Sequence, residues 1–534
     1  MKYILILGSQ ISGIGKGIVT ASIGLLLKSL GYDVTAIKID PYLNTTASLL
    51  SPFEHGENFT LDDGTEVDLD LGNYERFLDI KLTHHHSITT GKVYQKVFDD
   101  EKKGKYLGKT VQIIPHVTDE IQNMIINTSE IIVDSKKPDI CLIELGGTIA
   151  DIESMPFIEA LRQLQFKVGS ENFFIIHICL VIKHNGEHKT KPVQRAIHDI
   201  RASGIVPNMM ICRSKKSINI QIKEKIMLFS GLTNIIELPN LDNIFLVPQK
   251  LELQNVERII LKHFNYNCFR KYDINSLYYK AIEISNKIKT IDTTITIGIV
   301  GKYVGSPDTY LSIVNALDHA GYYLEKKINI IWIDSKSYSN DKVKNCNGIL
   351  IPGGFGLSFD KMIGMIDACK FARENHIPLL GICLGFQIAI IEFCKNILNI
   401  ENASSEEFGN SNTNVITLIK DLNHEYMNST MWLGDKKIRF IENSYIHNIY
   451  SDIEINERFR CRYTVNNLYK DEIEKNGLFF TGFENESNRI VSFELINHPF
   501  YIGVQYHPEF KSKFTKPSPI FIEFLESTLT KLVH

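Results

Sequence analysis

A cysteine, a histidine and a glutamate in the second half of the chain have the side chains of a thiol-based hydrolase. Cys383 lies in GICLGFQ, between an apolar run and a helical pattern, so it is predicted at a tight turn from strand to helix. The partial positive charge of a helix N-terminus favours a thiolate there. His507 and Glu509 stand two residues apart in GVQYHPEF, where both side chains can emerge on one face of a strand. The histidine could take the thiol proton while the glutamate orients its ring.

A glycine-rich turn, PGGFG at 352–356, follows the predicted strand GILI. Its consecutive glycines leave backbone N–H groups open, as an oxyanion hole requires. Taken alone, each element also has a purely structural explanation, as a buried cysteine, a histidine at a strand end or a turn. Together, and in this order, they resemble the class I glutamine amidotransferase domain.

That resemblance implies a role for each element. Cys383 would attack the carboxamide of glutamine, His507 would move protons, Glu509 would orient the histidine, and the backbone near Gly354 would hold the oxyanion. The residues that would bind the glutamine substrate are Leu384, Gly385, Phe386, Gln387, Glu407 and Arg462.

The first half of the chain opens with a loop, GSQISGIGKGIVT at 8–20, between an apolar strand and a helix. Its glycines and Lys16 indicate a phosphate site, but the loop fails the template Gly-x-x-x-x-Gly-Lys-Ser/Thr. Gln10 stands at the first glycine position, and Gly17 stands where a Ser or Thr should hold the metal. The spacing of the glycines fails the dinucleotide fingerprint as well. The metal ligand must therefore come from elsewhere in the chain.

Acidic residues that could supply it occur in two motifs. DLDLGNYERF at 68–77 puts Asp68 and Asp70 on one face of a predicted short extended run, and IELGGTIADIE places Glu144 at the end of a buried strand. Carboxylate oxygens are the hard ligands that Mg²⁺ prefers, and strand ends over a parallel sheet are where α/β proteins bind phosphates. Lysines at KTKPVQ (189–194) and at Lys38 add positive charge.

Apolar runs alternate with helical stretches along the whole chain, which predicts an α/β fold with two doubly wound domains. We expect a P-loop-like (Rossmann-like) N-terminal domain over 1–275, a linker over 276–293 and a second domain over 294–534. The runs predicted as strands are YILIL, DVTAIKI, DICLIEL, FFIIHICLVI, NMMICR, TITIGIVGKY, INIIWID, GILIPGG, PLLGIC and FYIGVQYHP.

The composition of the chain limits the kinds of partner that it is expected to bind. The 534 residues carry a net charge of -4, which gives no broad basic surface for nucleic acid or membrane. Nine cysteines without CxxC spacing favour a reducing compartment over a disulfide scaffold or a zinc ribbon. The start of the chain lacks a secretory pattern and no apolar run has the length of a membrane span, so we expect a cytoplasmic protein.

The motifs SGIGKG, KIDPY, SPFEHGE, DLDLGNYERFLD, YLGKTVQIIPH, ELGGTIADIES, KTKP, GKY, GGFG, GICLG and VQYHPEF occur in the order found in CTP synthases, so the resemblance covers essentially the whole chain. The SGIGKG loop is similar to the eukaryotic branch. The resemblance implies a ligase of pyrimidine nucleotide biosynthesis in which an amidoligase domain is fused to the glutaminase. ATP would phosphorylate O4 of the uracil of UTP, ammonia would attack C4, and phosphate would leave to give CTP.

The same resemblance implies the ligands of individual residues. The ATP phosphates would be bound by Gly13, Ile14, Gly15, Lys16, Gly17 and Ile18, with Lys16 on the transferring group, and adenine would contact Pro239, Asn240 and Leu241. Mg²⁺, the only cofactor expected, would be held by Asp70 and Glu144, with Lys38 near the reacting phosphates. UTP would be bound by Ser12, Lys189, Thr190, Lys191, Pro192, Val193, Gln194 and Lys225, and CTP as feedback inhibitor by Asp151, Ile152 and Glu153. His55 would lie at the passage for ammonia, and the enzyme would be a homotetramer with GTP as a candidate activator.

The chain departs from the family pattern at four places. Ser9 and Gln10 replace the usual Gly-Val before the loop serine, Asn58 replaces an apolar residue of the ammonia route, and Ala150 replaces a glycine. After PGGFG the chain reads LSFDKMIG, where the family has an Arg-Gly pair linked to GTP activation.

Two other interpretations remain open at this point. One is an ATP-dependent amidoligase that acts on a carboxylate, against which KTKPVQ and DLDLGNYERF argue. The other is a regulatory or structural paralogue that assembles with active subunits, against which the intact Cys383, His507, Lys16 and Asp70 argue.

Overall fold

Short strands and helices alternate through the computed structural model, which describes residues 1–266, 270–355, 362–409, 412–420 and 431–529. The described strands are β1 (Lys2–Gly8), β2 (Val34–Asp40), β3 (Phe59–Thr60), β4 (Glu66–Val67), β5 (Ser87–Thr89), β6 (Ile140–Leu145), β7 (Phe173–Leu180), β8 (Ile182–His184), β9 (Glu187–Lys189), β10 (Met209–Ser214), β11 (Ile235–Pro239), β12 (Thr294–Gly301), β13 (Lys327–Asp334), β14 (Gly348–Ile351), β15 (Leu379–Ile382), β16 (Ser404–Ser405), β17 (Asn414–Leu418), β18 (Trp432–Phe440), β19 (Glu454–Cys461), β20 (Tyr463–Val465), β21 (Leu478–Glu484), β22 (Ile490–Leu495) and β23 (Tyr501–Val504).

The described α-helices are α1 (Lys16–Ser29), α2 (Pro52–His55), α3 (Leu69–Leu78), α4 (Thr90–Lys102), α5 (Thr118–Ser129), α6 (Met155–Val168), α7 (Lys191–Ala202), α8 (Ile220–Ser230), α9 (Leu246–Glu252), α10 (Val256–His263), α11 (Leu277–Thr290), α12 (Leu311–Tyr323), α13 (Asn340–Val343), α14 (Ile363–Glu374), α15 (Leu384–Asn396), α16 (Tyr445–Tyr450), α17 (Lys470–Lys475) and α18 (Pro519–Leu529). Among the described residues, no helix is both long and apolar enough to cross a membrane.

The N-terminal unit comprises Met1–Ala47 and Asp70–Asn286. Its seven-stranded sheet has the order β11-β10-β7-β1-β6-β2-β5, and every neighbouring pair is parallel. β1 lies at the centre, and its residues from Tyr3 to Leu7 are buried because helices cover both faces of such a sheet. The carboxyl ends of β1, β2, β6 and β7 therefore meet at one edge, and the loops that follow them carry the predicted phosphate and metal residues.

The C-terminal unit comprises Ser48–Leu69 and Lys287–His534. Its nine-stranded sheet has the order β13-β12-β14-β15-β23-β22-β21-β18-β19, with parallel pairing from β13 to β23 and antiparallel pairing beyond. The predicted α/β class with two doubly wound domains is confirmed. The mixed sheet places the carboxyl ends of β14, β15 and β23 side by side, and these are the strands that precede PGGFG, Cys383 and His507.

One sequence-based expectation is wrong. DLDLGNYERF was expected to be a short extended run with Asp68 and Asp70 on one face, but helix α3 begins at Leu69. Asp70 lies in the first turn of this helix, where an acidic side chain suits the partial positive charge of the N-terminus. The alternation of acidic and apolar residues that suggested a strand is too short to distinguish the two structures.

The segment 48–69 packs with the C-terminal unit although it lies early in the chain. Two arginines of β19 hold it. Arg458 donates from Nε to Oδ1 of Asp62 at 2.6 Å, and Arg460 donates from Nε to Oε1 of Glu66 at 2.5 Å. The carboxylate of Glu66 is 2% exposed, so this ion pair is buried and depends on both partners.

We expect Glu66→Ala to lower the unfolding free energy of the C-terminal unit by about 3 kcal/mol, since truncation leaves the guanidinium of Arg460 without its buried partner. Urea denaturation followed by tryptophan fluorescence measures the effect, because Trp332 and Trp432 both lie in this unit. Asp341→Ala is the matched control, as it removes an ion pair with Lys344 that is largely exposed, and it should change little. Equal effects of the two substitutions would contradict the proposed role of burial.

Candidate active sites

Cys383 stands at the turn between β15 and α15, as the sequence predicts. Its backbone has φ 54° and ψ -100°, a conformation that side chains other than glycine rarely adopt, and its N–H donates to the carbonyl of Val504 at 2.7 Å. Gly385 makes the turn possible, because a Cβ at this position would lie 2.1 Å from the carbonyl oxygen of Ile351 on β14. The close approach of α15 to the sheet thus holds the cysteine at the helix N-terminus.

His507 and Glu509 form a buried pair after β23. The Nδ1 atom of His507 lies 2.7 Å from Oε1 of Glu509. Burial alone would lower the pKa of His507, but the carboxylate of Glu509 and the sulfur of Cys383 outweigh burial and raise the pKa to about 10. An imidazolium therefore persists beside the sulfur, and it is the counter-ion that a thiolate requires.

Gly353 and Gly354 line the space beside these groups. A Cβ on Gly353 would lie 2.9 Å from Cε1 of His507 and 3.5 Å from Cβ of Cys383, so the backbone of Gly353 borders both residues. A cavity of about 50 Å³ opens here. It is lined by Pro52, Glu57, Asn58, Tyr303, Thr309, Tyr310, Ile313, Gly353, Gly354, Phe355, Arg460, His507, Glu509 and Phe510.

The predicted glutamine-binding residues are placed unequally around this space. Residues 384–387 are buried in the first turn of α15, while Glu407 is half-buried. The guanidinium of Arg462 lies 5.5 Å from the ring of Phe355, and its Nε is buried without a hydrogen-bond partner among the described residues. His55 is exposed and is not among the residues that line the cavity, whereas its neighbours Glu57 and Asn58 are.

Sequence reasoning missed one polar residue of this site, although the string that contains it was recognised. The side chain of Gln505 donates to Sγ of Cys383 at 3.5 Å and accepts from Nε2 of Gln387 at 3.0 Å. It joins the nucleophile to a residue predicted to bind substrate. Strand alternation places Gln505 two residues before His507, which is the only signal in the sequence that could have indicated it.

In the N-terminal unit, the loop at 8–20 ends in helix α1. The buried ammonium of Lys16 donates to the carbonyl of Gly147 at 2.9 Å, and burial lowers the pKa of Lys16 although Glu144 opposes this. A Cβ on Gly17 would lie 1.9 Å from Oδ1 of Asp70. The carboxylate of Asp70 therefore fills the volume that the Ser or Thr side chain of an ordinary P-loop would need.

Asp70 belongs to a cluster of buried charges around Lys38. The ammonium of Lys38 donates to Oδ2 of Asp70 and lies 3.6 Å from both Asp40 and Glu144. Burial raises the pKa of Glu144 above its usual range, and the charge of Asp70 adds to the effect. The hydroxyl of Tyr74 donates to the other oxygen of Glu144. Asp70 and Glu144, the residues predicted to bind the metal, thus share the ammonium of Lys38 as their counter-ion. The atoms that they offer to a metal ion are hard carboxylate oxygens.

Among the described residues, no three or more His, Cys, Asp or Glu side chains form a cluster that could hold a metal ion alone. The two predicted carboxylates fit Mg²⁺ nonetheless, because this ion is usually bound by one or two carboxylates together with substrate phosphates and water.

Arg213, at the end of β10, is a second residue that sequence reasoning missed. Its guanidinium donates to the carbonyls of Leu238 and Pro239 at 3.1 and 3.3 Å and to the side chain of Asn240 at 3.2 Å. Its Nε also lies near the phosphate loop, 3.7 Å from a Cβ built on Gly15. Arg213 therefore joins the loop to the segment 239–241 that was predicted to contact adenine.

The predicted UTP and CTP residues lie at the surface of the same unit. Ser12, Asp151, Ile152, Glu153, Lys189, Lys191 and Lys225 are exposed, Pro192 and Gln194 are half-buried, and Thr190 and Val193 are buried. Thr190, Lys191 and Gln194 belong to the start of α7, and the strands β8 and β9 lead into it as a hairpin. Lys225 lies on α8, which packs against α7.

Matches to protein-family models define the class of protein to which the chain belongs. A family model described as CTP synthase N-terminus matches residues 2–266, and one described as glutamine amidotransferase class-I matches residues 306–527. They define a synthase domain joined to a class I glutamine amidotransferase domain, in agreement with the two units and the two candidate sites.

Relatives of full length give the family. "CTP synthase" of Dictyostelium discoideum is 44% identical over 100% of both chains, and "CTP synthase 1" of Homo sapiens is 42% identical over 100% of this chain and 94% of its own. The solved structure "Trypanosoma brucei CTPS - glutaminase domain with bound acivicin" is 31% identical, covers 44% of this chain and 94% of that chain, and has a TM-score of 0.42. The chain belongs to the CTP synthase family.

We expect Gly17→Ala to destabilise the N-terminal unit by about 1–3 kcal/mol, since the added methyl group meets the carboxylate of Asp70 and buried polar partners cannot move freely. Thermal unfolding measures the loss. Asp70→Ala is the reference for the double variant Gly17→Ala/Asp70→Ala: once the carboxylate is gone, the added methyl group should cost little further stability. An unchanged unfolding transition in Gly17→Ala would contradict the close approach.

We expect Glu509→Gln to lower the pKa of His507 by about 1–3 units, because the amide keeps the hydrogen bond but removes the charge that opposes burial. NMR titration of labelled histidine rings measures it, with Glu442→Gln at an exposed site as control. The folded-state pKa lies above the ordinary value, so protonation of His507 stabilises the fold fully below about pH 6.5 and this contribution is lost as pH rises through about 10. A pKa unchanged by Glu509→Gln would show that the carboxylate does not hold the proton.

Proposed function

We propose that the chain converts UTP to CTP, with ATP as the phosphoryl donor and ammonia from L-glutamine as the nitrogen donor. The observation that carries this proposal is the presence of two candidate sites in one chain whose full length matches CTP synthases. One site has a cysteine at a helix N-terminus beside a buried His–Glu pair, and the other has a phosphate loop beside buried carboxylates and lysines.

In the glutaminase site, Sγ of Cys383 attacks the carboxamide carbon of glutamine and forms a C–S bond. His507 gives a proton to the leaving nitrogen, so ammonia departs and a thioester remains. Water then attacks the thioester and gives its proton to His507, which releases glutamate and restores the thiol. The backbone N–H groups of Gly353 and Gly354 would stabilise the oxyanion, which is supported by the approach of Gly353 to Cys383 and His507, and Glu509 keeps the ring of His507 oriented.

In the synthase site, the developing charge on the transferred phosphoryl group requires cations and backbone donors, because no protein nucleophile takes part. Lys16 and the N–H groups of 13–18 supply them. Asp70 and Glu144 would hold Mg²⁺, which supplies charge neutralisation when bound with ATP. Lys38 lies within 3.6 Å of Glu144 and keeps the carboxylates paired until ATP and metal enter. The oxygen O4 of UTP is phosphorylated, ammonia attacks C4, and phosphate leaves.

The residues proposed for UTP and for feedback by CTP are exposed in the single chain. Apolar side chains of the same unit are exposed as well, among them Leu107, Ile152, Met155 and Phe166. Such side chains are more typical of a surface that another subunit covers. They support the proposal of a homotetramer in which subunit contacts complete the nucleotide sites.

Of the segment linked to GTP activation, LSFDKMIG at 357–364, residues 357–361 lie outside the described residues, as does Gly356 before them. Lys302 donates to the carbonyl of Phe355 at 2.6 Å, immediately before these residues. Activation by GTP is proposed only on the family resemblance.

The direct test is CTP formation from UTP, ATP and magnesium, with glutamine or ammonium as nitrogen donor. Failure with both donors would refute the proposed function. Release of CTP is followed by its absorbance spectrum, and phosphate release confirms that one ATP is consumed for each amination.

We expect Cys383→Ala to abolish CTP formation from glutamine and to leave formation from ammonium within about twofold of the unaltered chain, because the thiol acts only in the first step. Cys346→Ala, which changes another buried cysteine of the same unit, should leave both activities in place. Equal loss of both activities in Cys383→Ala would contradict the division of labour between the two sites.

A further inference from the structure

Gln10, one of the departures from the family pattern, has an unusual backbone. It follows β1 and precedes the phosphate loop, and its φ of 84° lies in the left-handed region. A side chain with a Cβ is disfavoured there by roughly 1–2 kcal/mol unless its surroundings compensate. Glycine would adopt this conformation without strain, so the presence of glutamine requires an explanation.

Hydrogen bonds of the Gln10 carboxamide compensate for the cost of this backbone conformation. Its Oε1 accepts from the backbone N–H of Leu180 at 2.7 Å, and its Nε2 approaches the carbonyl of Leu180 at 3.4 Å. A primary amide that pairs with both the N–H and the carbonyl of one residue imitates a neighbouring strand. The left-handed backbone therefore lets the side chain of Gln10 continue the sheet beyond the last residue of β1.

Leu180 is the last residue of β7, and the strand has a second tie to the same loop. Oγ of Ser9 lies 2.7 Å from Nε2 of His177, and both residues are buried. Burial lowers the pKa of His177 to about 4, so this histidine is neutral at ordinary pH and makes the bond without a charge. The start of the phosphate loop is thus fixed to the end of β7 at two successive residues.

The chain that follows β7 has one further tie to the sheet, the N–H of buried Val181, which donates to the carbonyl of Arg213 at 2.8 Å. Strand β8 begins at Ile182, two residues after Leu180, and the hairpin of β8 and β9 is largely exposed. The hairpin leads directly into 189–194, the segment proposed to bind UTP. The phosphate loop, in contrast, is held at both ends by β1 and α1 and by the bond from Lys16 to Gly147.

We propose that Gln10 is a positioning residue that fixes the root of the UTP-binding hairpin relative to the phosphate loop. This inference rests on the proposed function. Phosphoryl transfer between two bound nucleotides requires the reacting atoms to be held at contact distance, so the separation of these two segments matters directly. Because the loop is held at both ends and the exposed hairpin only at its root, loss of the tie should disturb UTP more than ATP.

The test uses the full chain, with ammonium as nitrogen donor so that the glutaminase site is not involved. Gln10→Gly keeps the backbone conformation and removes the carboxamide. Gln10→Glu keeps an acceptor for Leu180 N–H but places negative charge against the carbonyl of Leu180. Asn185→Gly is the matched control, because Asn185 also has a positive φ, of 48°, and lies at the tip of the same hairpin.

We expect Gln10→Gly and Gln10→Glu to raise the KM for UTP roughly tenfold, as loss of one or two hydrogen bonds allows. The kcat and the KM for ATP should change by less than about threefold, and the control should match the unaltered chain. A merely structural role predicts a different result, in which the constants for both nucleotides worsen together with the melting temperature. Glutamine hydrolysis should be unaffected in every variant.

The outcomes separate the two proposals. An unchanged KM for UTP in both Gln10 variants, with CTP still formed, would overturn the role of Gln10 alone, as would a parallel loss for UTP and ATP. Failure of the unaltered chain to form CTP would overturn the proposed function and this inference with it. If Gln10→Gly does not fold, Gln10→Glu decides the question, since it retains the stronger of the two hydrogen bonds.

Discussion

The candidate synthase site depends on the ion pairs that the ammonium of Lys38 makes with three carboxylates. Three carboxylates, those of Asp40, Asp70 and Glu144, approach one another at the edge of a parallel sheet where water is largely excluded. Buried charges of one sign are tolerated only when a cation pairs with them. Lys38 supplies it and draws Asp70 against α1, where Gly17 leaves the necessary space. The loop at 8–20 therefore departs from the P-loop template because Gly17 leaves room for the carboxylate of Asp70, which comes from helix α3.

The glutaminase site follows the same physical logic with different groups. The carboxylate of Glu509 keeps a proton on buried His507, and that cation lies next to the sulfur of Cys383. Strain at Cys383 and the absence of a side chain at Gly385 bring the thiol to the helix N-terminus. Both sites occupy the carboxyl ends of parallel strands, where loops can hold polar groups without disturbing the core.

Local patterns in the sequence were sufficient for the parallel strands β1, β2, β6, β7 and β10 of one sheet and β12 to β15 and β23 of the other, for the elbow at Cys383 and for the positions of Lys16 and Glu144. The edge strands β5 and β11 and the antiparallel strands β18, β19, β21 and β22 were not predicted. They failed where a contact joins distant parts of the chain. The pattern around Asp70 predicts an extended run, because the residues of the first turn of α3 alternate as they would in a strand. Arg213 was missed because its partners become neighbours only through parallel pairing of β10 and β11. The grouping of 48–69 with the C-terminal unit has no local signature, since its ion pairs span almost four hundred residues.

Burial divides the proposed ligand residues of the N-terminal unit into two classes. Lys16, Lys38 and Glu144 are nearly inaccessible and already paired, so the phosphate and metal region is organised before any ligand arrives. The residues proposed for the pyrimidine nucleotide lie on an exposed hairpin and on helix starts, so their geometry depends on how those segments are anchored. The hairpin extends from β7, and β7 is joined to the phosphate loop by the adjacent side chains of Ser9 and Gln10. Under the proposal made for Gln10, substitution at this anchor would change recognition of the pyrimidine nucleotide while the phosphate loop, which has its own supports, keeps its structure.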